Sequence, residues 1–435
     1  MTVPSATTGE CVYHPQTPRR TKYHWQGTYP ISREDKVKLD LWMSTHYEAL
    51  PEPSSNEAKE MGVVPSFPYK DVPIYGDTAD IMALYLRGVW GCLLTPKNVS
   101  DLIDTVGIRY HVWVATKKVL EKFPQGPRTL YVRLVLRQFL FELGLAMLGA
   151  VKGPVVIFIN SRLHDCKAAM VDEARALVDL FDRADVRRWR VVITLPATEE
   201  GIRAARELTK QYSIGIHLSM VTSLAHACAC IEAGATMLSM NVAPIMTWFE
   251  KKDVGEVEHP ITPGHPGIKT IQSCINYIRQ NSLNTSLLVT DIRDWDELNQ
   301  LDGVGAAALN QNLLNQIPMC GLTTWSPEIM EDYEFSPACR CAREAKYPSN
   351  FLNQARGIGM SLSAGDRSLL SSVVYIRLGQ NKVFMGKIED VIRKEVGRRL
   401  YVDAFDPHAY SMAVRRRRLA AKTQTSLTGA ATPAP

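Results

Sequence analysis

No stretch of the 435-residue chain is apolar over the ~20 residues that a membrane-crossing helix needs, so no membrane partner is expected. The first residues, MTVPSATTGECVYHPQTPRR, have no hydrophobic centre, which argues against a secretory signal. The nine cysteines follow no framework spacing, and a chain of this size needs no staples. Reduced thiols and a cytoplasmic location are expected. Cys228 and Cys230 fall in the helical run SLAHACACIEAGA and read as small core residues, while Cys339 and Cys341, in SPACRCAREA, are too few to close a zinc site. No metal is expected. No GxGxxG follows any strand-like run, which removes the usual dinucleotide site, and no cofactor is expected. The net charge is only +5, and the one basic run, Arg415 to Arg418, lacks aromatic interleaving. Nucleic acid is therefore not expected as a partner; the alternatives for RRRR are a nuclear signal or solvated surface.

From about residue 71, short apolar runs alternate with amphipathic helical ones. The strand-like runs are DVPIYGD, VWGCLLT, PVVIFIN, WRVVITL, SIGIHLS, ATMLSMN, TSLLVTD and GAAALN. VDEARALVDLFDRA, EEGIRAARELTKQ, TSLAHACACIEAGA and PGIKTIQSCINYIRQ carry apolar residues at helical spacing. Asp or Thr precedes several of them and Gly234 closes one, as helix ends prefer. Val, Ile and Leu on both parities of the strands imply burial on both faces and hence a parallel sheet. The expected fold is α/β, a (β/α)8 TIM barrel over 71–320 with N-terminal and C-terminal extensions; a doubly wound open sheet is the alternative. Residues 1–70 read as an extension with one helix near SREDKVKLDLWMSTHYEAL, 321–413 as a helical extension containing a short strand pair in YIRLGQNKVFMG, and 414–435 as a basic, disordered tail. The long apolar segment 128–150 reads as a helix packed on the barrel exterior or at a subunit contact, as in a homodimer.

Several segments resemble the transaldolase family: LPATEEGIRAAREL, SIGIHLSMVTSLAHACACIEAGATMLSMNVAPIMTWFEK, YGDTADI, IFINSRLHD and LLVTDIRDWDEL. Transaldolases move carbon fragments through an imine between a substrate ketone and a lysine amine, with carboxylates to shift protons and a cation to hold phosphate. The resemblance implies that the first-strand aspartate is kept as Asp77, the sixth-strand serine as Ser239 and the seventh-strand arginine as Arg293. It places Thr95 at the second-strand asparagine, Phe158 at the third-strand glutamate, and Thr194 at the Schiff-base lysine. His217 and Ser219 take the fifth-strand Asn and Thr, Pro244 takes a phosphate-binding arginine, and Asp291 takes a small polar residue. A threonine hydroxyl cannot form an imine, so the resemblance implies a degenerate site without the Schiff-base lysine.

Barrel enzymes carry their reactive groups at the C-terminal strand ends. That mouth is expected to hold Asp77, His217, Asp291 and Thr194 as catalytic candidates. Thr95, Lys97, Phe158, Ser219, Ser239, Asn241 and Arg293 are the expected substrate contacts, with Met240 as further apolar lining. The bland alternative pairs Asp77 with Arg293 and leaves His217 as a satisfied core residue; a metal set of Asp77, His217 and Asp291 is a further alternative. Three functions stay open. One is a diverged enzyme that rearranges, cyclises or isomerises a non-sugar small molecule of specialised metabolism by acid–base catalysis. The second is aldol-type bond transfer on sugar phosphates with Lys97 as a relocated amine. The third is a noncatalytic scaffold or regulatory pseudoenzyme.

Overall fold

Eight short parallel strands close on themselves, in simple order from first to eighth, in the computed structural model of the chain. They are β1 Ile74–Asp77, β2 Gly91–Leu93, β3 Val155–Phe158, β4 Val191–Pro196, β5 Ile216–Val221, β6 Met237–Asn241, β7 Ser286–Thr290 and β8 Ala306–Asn310. Each coincides with one of the strand-like runs, and the closed barrel excludes the open-sheet alternative. The structure describes residues 72–123, 128–252, 265–281, 283–317, 337–345 and 357–404. The N-terminal extension, the tail with Arg415 to Arg418 and the side chain of Cys339 lie outside the described residues.

The helices are α1 Ile81–Arg87, α2 Pro96–Leu102, α3 Val106–Lys122, α4 Arg128–Ala150, α5 Lys167–Arg183, α6 Glu199–Tyr212 and α7 Leu224–Glu232, followed by α8 Val242–Lys252, α9 Pro266–Gln280, α10 Trp295–Asn299, α11 Gln311–Gln316, α12 Pro337–Glu344, α13 Ala364–Leu370 and α14 Ile376–Ala404. Short polar side chains start them as the sequence suggests: the hydroxyls of Thr198 and Ser223 and the carboxylates of Asp80 and Asp294 accept from first-turn amides. Cys228 and Cys230 are buried within α7. The long α4 packs against α3 and α5 on the barrel exterior and against α14. Its Arg133 and Arg137 donate to the buried Glu173 of α5, Arg137 through two bonds of 2.7 Å. Among the described residues no helix is long and apolar enough to cross a membrane.

Strand parity sorts the barrel into layers. Tyr75, Leu93, Val156, Val192, Met237, Leu288, Ala306 and Ala308 form a separate buried cluster. The residues between them, such as Ile74, Cys92, Ile157, Ile193 and Leu238, join the large core shared with the helices. Successive side chains of a strand point to opposite faces, so the next inward layer toward the C-terminal ends holds Asp77, Phe158, Thr194, Ser239 and Thr290. The apolar cluster thus forms the floor beneath a polar ring.

The segment read as a strand pair, YIRLGQNKVFMG, is helical: one π-helical turn at Ser371–Tyr375 leads into α14. Its buried residues, Leu378, Met385, Ile388, Ile392 and Val396, keep helical spacing, which outweighs the turn-like Gly379–Gln380–Asn381. Val374 and Leu378 pack on Met220 of β5, seating α14 over the barrel mouth.

Gly201 marks where α6 returns tightly from β4. A Cβ there would lie 1.9 Å from the carbonyl oxygen of Pro196, a backbone atom with no freedom to yield. Gly201→Ala should destabilise the fold by about 1–3 kcal/mol or more, measured as a lowered urea midpoint with unchanged m-value.

Candidate active site

The β1-proximal wall is built by the loop after β2. Thr95 caps α2, accepting from the Asn98 amide at 3.2 Å, and the Asn98 side chain returns a bond to the Thr95 amide at 3.0 Å. That capping box fixes Asn98, whose side-chain nitrogen donates to Asp77 Oδ1 at 2.9 Å and to the Leu93 carbonyl at 2.8 Å. Burial pushes the Asp77 carboxyl up to about 6; the Asn98 bond and the Arg377 and Lys97 charges pull the other way but do not cancel it. Asp77 is therefore ionised at neutral pH, with a proton affinity suited to proton transfer.

Across the barrel, His217 of β5 sits beside Thr194 of β4, with the Thr194 hydroxyl 3.0 Å from Nδ1. His217 is 1% exposed, and burial holds its imidazole down at about 3, so the ring is neutral. Its Nε2 has no hydrogen-bond partner, nor has Oδ1 of Asn241. His226, also fully buried, differs: Nε2 lies 2.7 Å from the Ala197 carbonyl and Nδ1 accepts from the Thr222 amide. The satisfied core histidine is His226. His217 is left with one edge unused.

The third wall joins β6, β7 and α14. Asn241 donates to Asp291 at 2.8 Å, and Asp291 pairs with Arg377. Asp291 and Met220 both have positive φ, 53° and 68°, at the ends of β7 and β5. For non-glycine residues this backbone costs ~1–2 kcal/mol, and such positions cluster at functional sites. The register of β5 against β6 also shifts between Leu218 and Val221, a bulge that re-aims the end of β5.

These walls enclose a chamber of ≈ 90 Å³ lined by Asp77, Thr95, Lys97, Phe158, Thr194, His217, Ser219, Ser239, Asn241, Asp291 and Arg377. An outer vestibule of ≈ 1120 Å³ shares Asp77, Thr95, Lys97, Asp291 and Arg377 with it. The structure thus brings together ten of the eleven sequence-named site residues; Arg293 lines only the vestibule.

Three readings need correction; Lys97, at the rim of the chamber, is not among them. Arg293 does not meet Asp77: beyond the left-handed turn at Asp291 its guanidinium bonds Glu297 and Glu250 instead. Met240 does not line the mouth, because strand parity turns it outward into the core between Ser239 and Asn241. Lys97 lies at the rim, its ammonium 2.8 Å from Asp101 and more than half exposed. Asp77, His217 and Asp291 line one chamber but form no metal-ligand set: among the described residues no three His, Cys, Asp or Glu side chains come together as metal ligands. Sequence reasoning missed Asn98 and Arg377. A capping-box pattern at TPKN signals the first; nothing local signals the second.

A polar pocket at the C-terminal ends of eight parallel strands, floored by apolar side chains, defines a (β/α)8-barrel protein with its site where such barrels carry one. The profile of a family described as Transaldolase/Fructose-6-phosphate aldolase matches residues 115–348. The chain belongs to that family. It is 32% identical over 186 residues to a transaldolase of Kluyveromyces lactis, covering 43% of this chain and 55% of that one. It is 31% identical over 174 residues to a transaldolase of Homo sapiens, covering 40% and 51%. A transaldolase of Prochlorococcus marinus is 31% identical over 247 residues, covering 56% and 71%. The chain spans about half the length of the curated relatives it matches, the Prochlorococcus protein excepted.

Proposed function

We propose that this chain is a transaldolase-family enzyme that moves protons on a small-molecule substrate, in an isomerisation, cyclisation or rearrangement, without an imine on the fourth strand. The observation that carries this reading is the Asp77 carboxyl in the chamber wall, pushed up to about 6 by burial and held by Asn98. Opposite it stands a neutral histidine with a free edge. The run Val191–Pro196 contains no lysine, and Thr194 spends its hydroxyl on His217. On this reading Asp77 is the proton carrier, and Ser219, Ser239, Asn241 and the Asp291–Arg377 pair contact and orient the substrate.

A second reading is supported by Lys97 lying at the chamber rim: aldol-type bond transfer between sugar phosphates with Lys97 as the amine. The two separate in one comparison. Host cells making the wild-type chain should show a metabolite change that Asp77→Asn abolishes, while borohydride with a dihydroxyacetone donor leaves no adduct. A trapped adduct lost in Lys97→Ala selects the second reading. An identical metabolite profile for wild type, Asp77→Asn and His217→Ala leaves a noncatalytic scaffold.

A further inference from the structure

We infer that the protein carries a second binding site, away from the barrel mouth, for a small monocarboxylate with an aliphatic chain. A cavity between α4, α5 and α14 takes the chain, and Arg133 and Arg393 at its rim take the carboxylate. The inference goes beyond the proton-transfer reading and does not depend on it.

The cavity lies where α4 and α5 meet α14 and the turn Ser161–Leu163 that follows β3. Its volume is ≈ 500 Å³, within the range of about 300–1,000 Å³ usual for small-molecule pockets. Leu136 of α4, Leu163 of the turn and Val396 of α14 give it an apolar wall. Gly397 lines it as well, and a Cβ placed there would meet no atom within 4 Å, so this wall is open rather than packed.

The charges around the cavity select the ligand. Glu173 of α5 and Glu389 of α14 both line it, with side chains only 8% and 9% exposed. Buried carboxylates need partners, and here the partners outnumber them. Glu173 takes Arg133 and Arg137; Glu389 takes Arg162, with Arg393 4.0 Å away. Arg393 also pairs with the exposed Asp390. Four guanidiniums thus face three carboxylates, and one positive charge is left over. Arg133 spends only Nε on Glu173, at 3.1 Å, and its terminal nitrogens have no partner among the described residues. Such a fork suits a carboxylate, which accepts two parallel bonds from it. Arg133 and Arg393 are more than half exposed, so the carboxylate sits at the solvent edge while the chain runs inward to Leu136, Leu163 and Val396. One spare charge matches a monoanion, and the apolar wall matches an aliphatic chain. A sugar phosphate, doubly charged and polar throughout, fits neither. The site also touches the chamber: Asn160 lines both cavities and donates to Glu389 at 3.3 Å.

The test titrates the full-length protein with sodium butyrate, hexanoate and octanoate, and with 1-octanol, by isothermal titration calorimetry. Affinity should rise by up to about fourfold for each added methylene. The uncharged 1-octanol should bind about tenfold more weakly than octanoate. Arg133→Ala should weaken octanoate by about 10–100-fold, the loss of a charge-assisted contact. Glu173 keeps both bonds from Arg137, so that variant should fold. Gly397→Leu fills the cavity without touching an ion pair and puts a better helix former inside α14. It should abolish octanoate binding while the urea midpoint is no lower than that of wild type. Octanoate that fails to bind wild type at millimolar concentration overturns the inference, as does binding that survives both variants. Binding lost in Arg377→Ala but kept in Gly397→Leu puts the ligand at the barrel mouth and overturns it as well.

Discussion

Asp77→Asn should lower the proposed proton-transfer activity by about 10²–10⁴-fold, the usual contribution of a positioned general base, and should not weaken the fold at neutral pH. The amide has the size of the carboxyl and its oxygen can still accept from Asn98. It cannot accept a proton from carbon. The pH dependence fixes the assignment. With the carboxyl at about 6, wild-type activity should fall about tenfold per unit below that pH, following the ionised fraction. Stability should move the other way. The folded chain holds this proton more tightly than the unfolded chain, whose carboxyl has the ordinary value of 3.8. Stability from this group is therefore greatest at low pH and is lost as pH rises from about 4 through about 6. A shift of that size corresponds to about 3 kcal/mol, so Asp77→Asn should be more stable than wild type at pH 8 by up to that amount and no different near pH 4. Urea unfolding at both pH values checks this; a variant weaker than wild type at pH 8 would contradict the burial argument for Asp77.

Acid should undo the fold through its buried histidines. His217 and His226 are 1% and 0% exposed and are held at about 3 and about 4 by burial, against an ordinary value of 6.5. Here the unfolded chain binds the proton first, so stability is full above pH 6.5 and falls as pH drops toward 3–4. Between pH 7 and pH 4 each histidine withdraws about 3 kcal/mol, a large share of the 5–15 kcal/mol that a domain commands. In an Asp77→Asn background, where the opposing carboxyl contribution is gone, the loss should be plain. His226→Gln keeps a donor for the Ala197 carbonyl without a titrating ring, and should flatten the pH slope by about one histidine's share. Equal slopes with and without His226 would show that its burial carries no such penalty.

The strands were legible because double-faced burial demands runs such as VVIF and VVITLP, which no loop carries. Most of the mouth was legible for the same reason: a residue near the end of such a run faces the mouth when its parity is inward. Met240 was misjudged because proximity to a strand end was weighed without that parity. Arg293 was misjudged because the left-handed turn at Asp291 has no signature in Thr-Asp-Ile-Arg. Asn98 reaches Asp77 from inside a helix rather than from a strand, and Arg377 arrives from a helix 66 residues after the last barrel residue of β8, Asn310, through packing on Met220. Contacts of that kind depend on tertiary docking, which no local pattern encodes.

The guanidinium that faces Asp291 comes from a helix, α14, and not from a strand tip. Redrawing that helix would alter the charge and width of the entrance while the residues on the strand tips stay in place.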